Sequence, residues 1–267
     1  MAPVTTSPKK TPAWLLALGR EEPPAEVDLE SGRYRLKKIF KHDFFAFTAR
    51  YDRTQPDQEF DVVLKVGRKA WMFFVPLGWI GRLHAWHESR VLQRVDDLEV
   101  VPAFTGRWGK HGFSHAFVPG DELKKGSPVP DDFFARLQVG LNEIHARGMA
   151  YVDLEKPENV LVGEDGAPYL FDFQIAFYWP RKAGGYLPPL TWIRTWTQRS
   201  DQYHLMKLRR RVRPDQMSEE ELLSSRTRPL YVRVHNRVTR PFTHLRRRFL
   251  ERVDPKKKIT EERGRHE

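Results

Sequence analysis

The stretch YVDLEKPENVLV, Tyr151–Val162, sets an aspartate, a lysine, a proline and an asparagine within seven residues, then runs into a short apolar strand. Each polar residue alone reads as turn chemistry, because Asp and Asn side chains bond the backbone of tight turns. The set gains meaning from its flanks. Upstream, DDFFARLQVGLNEIHARG (131–148) has the clearest helical pattern in the chain. Asp131 or Asp132 caps it, Phe134, Leu137, Leu141 and Ile144 share a face, and Gly148 stops it. Downstream, NVLV, the turn GEDGAP and YLFDF predict a hairpin that returns Asp172 to the side of Asn159.

Further out, RYRLKKIF, FFAFTARY and EFDVVLKV predict three consecutive antiparallel strands, separated by the turn-like KHD and DRTQPDQ. Strand alternation puts Lys65 on the same face as Val63. A lysine there is either an edge-strand gatekeeper or a buried cation that needs an anion. HAWHESRVLQRV has helical spacing, with Glu88, Val91, Leu92 and Val95 on one inward stripe, so Glu88 is a candidate partner. VVPAFTGRW and FSHAFV, broken by GKHG, predict a further strand pair. Between the lysine strand and the helix, WMFFVPLGWIGRL is apolar and tryptophan-rich but falls short of the roughly 20 apolar residues that span a bilayer. It reads either as core packing or as an interfacial membrane contact with Trp at headgroup depth.

The bulk properties bound the partners. The chain has 267 residues, 40% of them hydrophobic, and a net charge of +11, which favours anionic partners or else describes a solvated basic surface. Its mean hydropathy of −0.63 and pI near 9.8 suit a soluble protein with polar tails. Cysteine is absent, which excludes disulfides, thiolate chemistry and Cys-based zinc sites. Residues 1–30, rich in Pro, Ser, Thr and charge, read as a mostly disordered leader without a secretory pattern, within which AWLLALG is a candidate docking turn of helix. After about residue 195 the chain reads as helical and very basic, with a charged tail over 254–267. The arginine clusters there face an anionic acceptor, a membrane or RNA, or else are a solvated face.

These residues together suit phosphoryl transfer. That chemistry needs a carboxylate to orient the attacking hydroxyl, a cation near the moving group, and oxygen ligands for magnesium. Asp153 is the candidate for the first, Lys156 for the second, and Asn159 with Asp172 for the third. His84 and His87 beside Glu88 show no HExxH arrangement and no third ligand, so a zinc site is not expected.

From about Tyr34 to Trp179 the chain resembles the protein-kinase-like superfamily. VVLK is similar to its strand-lysine motif, Glu88 to the partner glutamate and HAFVPGDEL to the hinge. LNEIHARGMAYVDLEKPENVLV is similar to the catalytic loop with its preceding helix, and FDFQ to the metal-binding aspartate motif. The resemblance implies ATP and Mg2+ as cofactors, with Lys65 and Glu88 holding the nucleotide. It implies backbone near Ala116 and Val118 at the adenine, and Glu122 near the ribose.

The departures are specific. Tyr151-Val152-Asp153 stands where eukaryotic-type protein kinases have His-Arg-Asp, and Asp153 and Asn159 are six apart rather than five, as if one residue were added at Leu154–Glu155. KKIFKHDFFAFTARY has no glycine, so backbone amides of KHDFF would substitute for a glycine-rich flap. Gln174 replaces the motif glycine and no APE-like segment follows. These features resemble compact bacterial-type atypical kinases, such as RIO-like and lipopolysaccharide-core sugar kinases. Asp201, in RSDQYHLMKLRRR, reads as an anchor for the catalytic loop or as a plain helix N-cap.

The expectation is therefore an α+β, two-lobed kinase-like fold: leader 1–30, a β-sheet N-lobe with one helix over 31–118, a compact helical C-lobe over 119–253, and the tail. The expected function is ATP- and magnesium-dependent phosphotransfer to a hydroxyl on a saccharide, a lipid-linked saccharide or a protein. The alternative is an inactive scaffold that binds a membrane or nucleic acid through its basic C-terminal region. Localisation is expected to be cytoplasmic, with peripheral membrane contact through 71–86 and the basic region as the further option.

Overall fold

The computed structural model describes residues 12–56, 58–72, 75–179 and 188–227. The basic segment from 228 onward and the tail lie outside the described residues. The chain is α+β, and its largest sheet has six strands: β1 (Glu26–Leu29), β2 (Gly32–His42), β3 (Ala46–Arg53), β4 (Val62–Gly67), β5 (Phe104–Trp108) and β6 (Gly112–Ala116). Their order is β1-β2-β3-β4-β6-β5 and every pairing is antiparallel. The three strands expected from Arg33 onward are the centre of this sheet. Aromatic and β-branched residues explain them: Tyr34, Phe47, Tyr51, Val62, Leu64 and Val66 alternate onto one face and form a buried cluster.

Residues 12–29, expected within the leader, are instead built into this face. Leu15, Ala17 and Leu18 are buried, and β1 pairs with β2. The cause is Arg68, only 3% exposed, whose guanidinium donates to the carbonyls of Trp14, Phe44 and Trp71 and stacks on the Phe44 ring. One buried cation thus ties the N-terminal segment and the β2–β3 turn to the end of β4. The AWLLALG run is the docking turn expected inside the leader: Ala13–Leu15 forms a 3-10 turn, with Leu15, Ala17 and Leu18 buried.

α1 (Gly78–Leu92) packs against β4 and starts six residues before the predicted stretch. Its inner stripe is the predicted one: Glu88, Val91, Leu92 and, just beyond, Val95 are buried. Two glycines allow the close approach. A Cβ on Gly67 would sit 2.4 Å from the Gly81 carbonyl oxygen, and one on Gly81 would sit 2.0 Å from that of Arg68. The tryptophan-rich segment before and within α1 is not core, however: Trp71, Val75, Trp79, Leu83 and Trp86 are all exposed.

The remainder is mainly helical. β7 (Gly120–Glu122) leads to α2 (Phe133–Ala146), then β8 (Met149–Ala150), the hairpin β9 (Val160–Gly163) and β10 (Pro168–Leu170), and β11 (Phe177–Tyr178). α3 (Pro188–Val212) and α4 (Glu219–Arg226) follow. β9 pairs with both β10 and β7, and β11 pairs with β8. Phe134, Leu137, Leu141 and Ile144 of α2 are buried as predicted, joined in one cluster by Val91 and Leu92 of α1 and Leu205 and Leu208 of α3. Asp132 holds the N-cap position of α2, but its side chain makes no capping bond. Among the described residues, no helix is long and apolar enough to cross a membrane.

Candidate active site

β4 lies between β3 and β6, with Lys65 opposite Thr48 and Phe113, so the edge option for this lysine is closed. Alternation sends Val62, Leu64 and Val66 into the sheet's core and leaves Val63 and Lys65 on a cavity of about 1120 Å3. Lys65 Nζ lies 2.7 Å from Glu88 Oε1 and 2.8 Å from Asp172 Oδ1. The side chain of Glu88 is 6% exposed and that of Asp172 33% exposed, so both border the cavity but Asp172 is the more open to it. Asp172 holds a left-handed backbone, φ 57° and ψ 69°, which Asp tolerates better than most side chains. That conformation turns the chain into a short 3-10 turn, Phe173–Ile175.

The charges in this cluster constrain one another. Burial opposes the Lys65 ammonium, but the Glu88 and Asp172 charges outweigh it and raise its pKa above the ordinary lysine value. Burial pushes Glu88 up to about 7, against the pull of Lys65 and with the repulsion of Asp172 added. Asp172 also suffers burial, yet Lys65, with Lys156 and Lys41 beyond it, holds its carboxyl below the usual range. The lysine stays charged, and Glu88 is the member that takes up a proton first.

The loop Tyr151–Asn159 is held from beneath. Asp201, fully buried in the middle of α3, accepts the N–H of Tyr151 at 2.8 Å and of Val152 at 2.7 Å. His145 Nε2 lies 3.0 Å from the same carboxylate. Asp201 is therefore the loop's anchor and not a helix cap. Val152 has φ 72°, a conformation that a β-branched residue adopts only under constraint. The two bonds from Asp201 are that constraint.

Next, Lys156 Nζ contacts Asp153 Oδ2 at 2.6 Å and Asn159 Nδ2 donates to the Asp153 carbonyl at 3.2 Å. The six-residue interval is absorbed in a turn: Leu154 is buried, Glu155 points out to Lys207, and the Lys156 N–H returns to the Asp153 carbonyl. Tyr151 donates its hydroxyl to the Phe171 carbonyl, and the Phe171 N–H donates to the Asn159 carbonyl at 3.0 Å. These bonds cross-link the hairpin arms and bring Asp172 beside the loop. Nothing in the sequence pattern announced this role for Tyr151.

Of the expected site residues, Lys65, Glu88, Val118, Glu122, Asp153, Lys156 and Asp172 line the one cavity. Ala116 does not. Its N–H donates to the Ala103 carbonyl and so is not left for a base, while its own carbonyl accepts from His115 Nδ1 at 2.9 Å. Asn159 is buried and lies behind the cavity wall. Within KHDFF, the Phe45 N–H donates to Asp43 Oδ1 and the Asp43 N–H to the Ala46 carbonyl, so these two amides are engaged. Lys37, Lys38, Lys41 and Arg50 line that side instead. Two register shifts in β2, between Leu36 and Lys38 and between Ile39 and Lys41, re-aim these side chains. The charge pattern of RLKKIFKH was the available signal.

His115 also lines the cavity, and burial pushes it down to about 4, so it is neutral at pH 7. His84 and His87 bind the 3-10 turn that follows Asp172: Gln174 Nε2 donates to His84 Nδ1 at 3.0 Å, and His87 Nε2 donates to the Ala176 carbonyl at 2.9 Å. A second cavity of about 780 Å3 between α2, α3 and α4 touches none of these residues. The Asp172 and Asp153 carboxylates face the main cavity and suit a hard cation such as magnesium; the Asn159 amide, its nitrogen committed to the Asp153 carbonyl, keeps its oxygen behind them. Compared with protein-family models and with curated proteins, the sequence matches none.

Proposed function

We propose that this chain is an ATP- and magnesium-dependent phosphotransferase that moves the γ-phosphoryl group to a hydroxyl acceptor, on a two-lobed protein-kinase-like fold. The observation that carries the reading is the meeting of Lys65, Glu88 and Asp172 with Asp153 and Lys156 around one cavity. Lys65, fixed by Glu88, would bind the α- and β-phosphates, while Val118 and Glu122 would border the nucleoside. Asp172 and Asn159 would hold magnesium, which neutralises phosphate charge when bound.

Asp153 orients the acceptor hydroxyl. The acceptor oxygen bonds to the γ-phosphorus as the bond from that phosphorus to the β-bridging oxygen breaks. ADP leaves with the electron pair, and the acceptor's proton passes to Asp153. Lys156 follows the charge on the moving group, which requires it to leave its ion pair with Asp153. Positioning and fixed charge supply the rate. A saccharide, a lipid-linked saccharide or a protein hydroxyl is the acceptor class, and the cytoplasm is the compartment that supplies ATP.

A second reading, a non-catalytic scaffold for a membrane or nucleic acid, draws support from Asn159 lying behind the wall and from Lys156 occupying Asp153. Transfer of label from γ-labelled ATP to a panel of these acceptors separates the two. Phosphotransfer predicts magnesium-dependent labelling that Asp153→Asn lowers by about 10²–10⁴-fold. Nucleotide binding with no transfer to any acceptor favours the scaffold.

A further inference from the structure

α1 has two working faces. Its inner face presents Glu88 to Lys65. Its outer face carries Trp79, 56% exposed, Leu83, 51% exposed, and Trp86, 43% exposed. At about 100° per residue, these three with Arg82 and Arg90 fall within an arc of about 100°. Trp71 and Val75 continue the exposed apolar surface into the segment that leads to the helix. Arg107 of β5 and Lys110 of the β5–β6 turn close a shallow groove of about 630 Å3 against the two α1 tryptophans.

Single exposed apolar residues are ordinary, but a contiguous patch of this kind marks a contact surface. Its charge identifies the partner. The one acidic residue of α1, Glu88, points inward, so the exposed face carries only cations, with Arg90 stacked 5.0 Å from the Trp86 ring centre. Indole rings interleaved with Arg and Lys are what the headgroup region of an anionic bilayer accepts: rings at the acyl boundary, cations at the phosphates. A protein partner's apolar groove would not ask for an uncompensated ring of positive charge.

We infer that the outer face of α1, with the β5–β6 turn, docks the protein on an anionic phospholipid surface as a peripheral contact. The inference goes beyond the phosphotransfer reading and stands or falls without it. Docking uses the helix that supplies Glu88, so an acceptor carried in the same leaflet would be held near the cleft.

The test is sedimentation of the full chain with vesicles of phosphatidylcholine, with and without phosphatidylglycerol. Wild-type protein should sediment with the mixed vesicles and remain in solution with the neutral ones. The triple variant Trp79→Ala/Leu83→Ala/Trp86→Ala should partition about 100-fold more weakly. Arg82→Glu/Arg107→Glu/Lys110→Glu should weaken it at least about tenfold. Circular dichroism should be unchanged in both, because all six side chains are exposed or at the rim. Three results would overturn the inference: no sedimentation of the wild type, undiminished sedimentation of the triple tryptophan–leucine variant, or equal binding to neutral vesicles. A wild-type dimer in light scattering that the triple variant abolishes would also overturn it, making the face a self-contact.

Discussion

The Lys65–Glu88–Asp172 cluster and the Asp153–Lys156–Asn159 loop meet at one cavity but are made in opposite ways. The cluster joins residues 23 and 107 positions apart, and its lysine is 16% exposed. The loop joins residues 3 and 6 apart, and its lysine is 52% exposed. Both lysines make ion pairs of nearly the same length, 2.7 and 2.6 Å. Geometry alone would rank them equal; burial separates them. Removing one partner from a buried pair strands a charge in low dielectric, whereas water takes over for an exposed one. The cluster is thus a structural clasp between sheet, α1 and hairpin, and the loop is a movable arm on a fixed anchor.

The sharpest way to break this contrast is to remove each lysine. Lys65→Met should lower unfolding stability by about 3–5 kcal/mol in urea titrations, because two carboxylates lose their cation. A loss comparable with that of an exposed pair would contradict the clasp.

The next effect is pH dependence. Glu88 is raised from the ordinary 4.5 to about 7, so its folded form binds the extra proton. Its contribution is fully present below about pH 4.5 and is lost as pH rises through about 7. His115, pushed down to about 4, works in the opposite sense: its contribution is present above 6.5 and lost as pH falls through about 4. The two oppose each other, so the informative quantity is the difference between wild type and Glu88→Gln. That difference should shift against the wild type between pH 4.5 and 7, and a flat difference would remove Glu88 from the account.

Smaller still is the strain in the loop. Val152→Gly accepts φ 72° without a Cβ penalty and should raise stability by about 1 kcal/mol while loosening the loop. A destabilised Val152→Gly would mean that Asp201 holds no strain there. Lys156→Ala comes last, within about 1 kcal/mol of wild type in stability. Its loss should appear in turnover instead.

The same contrast explains what the sequence made legible. The loop's contacts could be read from spacing because they are local, with Leu154 and Glu155 in a turn between Asp153 and Lys156. The Lys65–Glu88 pairing was inferable only by adding strand alternation to a helical stripe, since neither residue announces the other. Asp201 could be named as an anchor, but its alternative as a helix cap stayed open until α3 was seen to run through it. Where the reading missed, a distant partner decided. AWLLALG could be read as a docking turn, but not its tether, the Trp14 carbonyl that Arg68 binds. Ala116 gives its N–H to the Ala103 carbonyl, again a backbone contact that residue types do not encode. The apolar content of 71–86 was plain, but its direction was not. Glycines 67 and 81 press one side of α1 onto β4 and so turn the tryptophans outward.

The central claim is that the cavity bordered by Lys65 and Asp172 holds a magnesium–nucleotide. The most direct test is the thermal shift of the pure protein with magnesium–ATP, run beside Asp172→Ala. At 100 times its dissociation constant, the ligand should stabilise the wild type by about 2.7 kcal/mol, and the variant should lose that shift while remaining folded. No shift in the wild type at millimolar magnesium–ATP, or an equal shift in Asp172→Ala, would contradict the account.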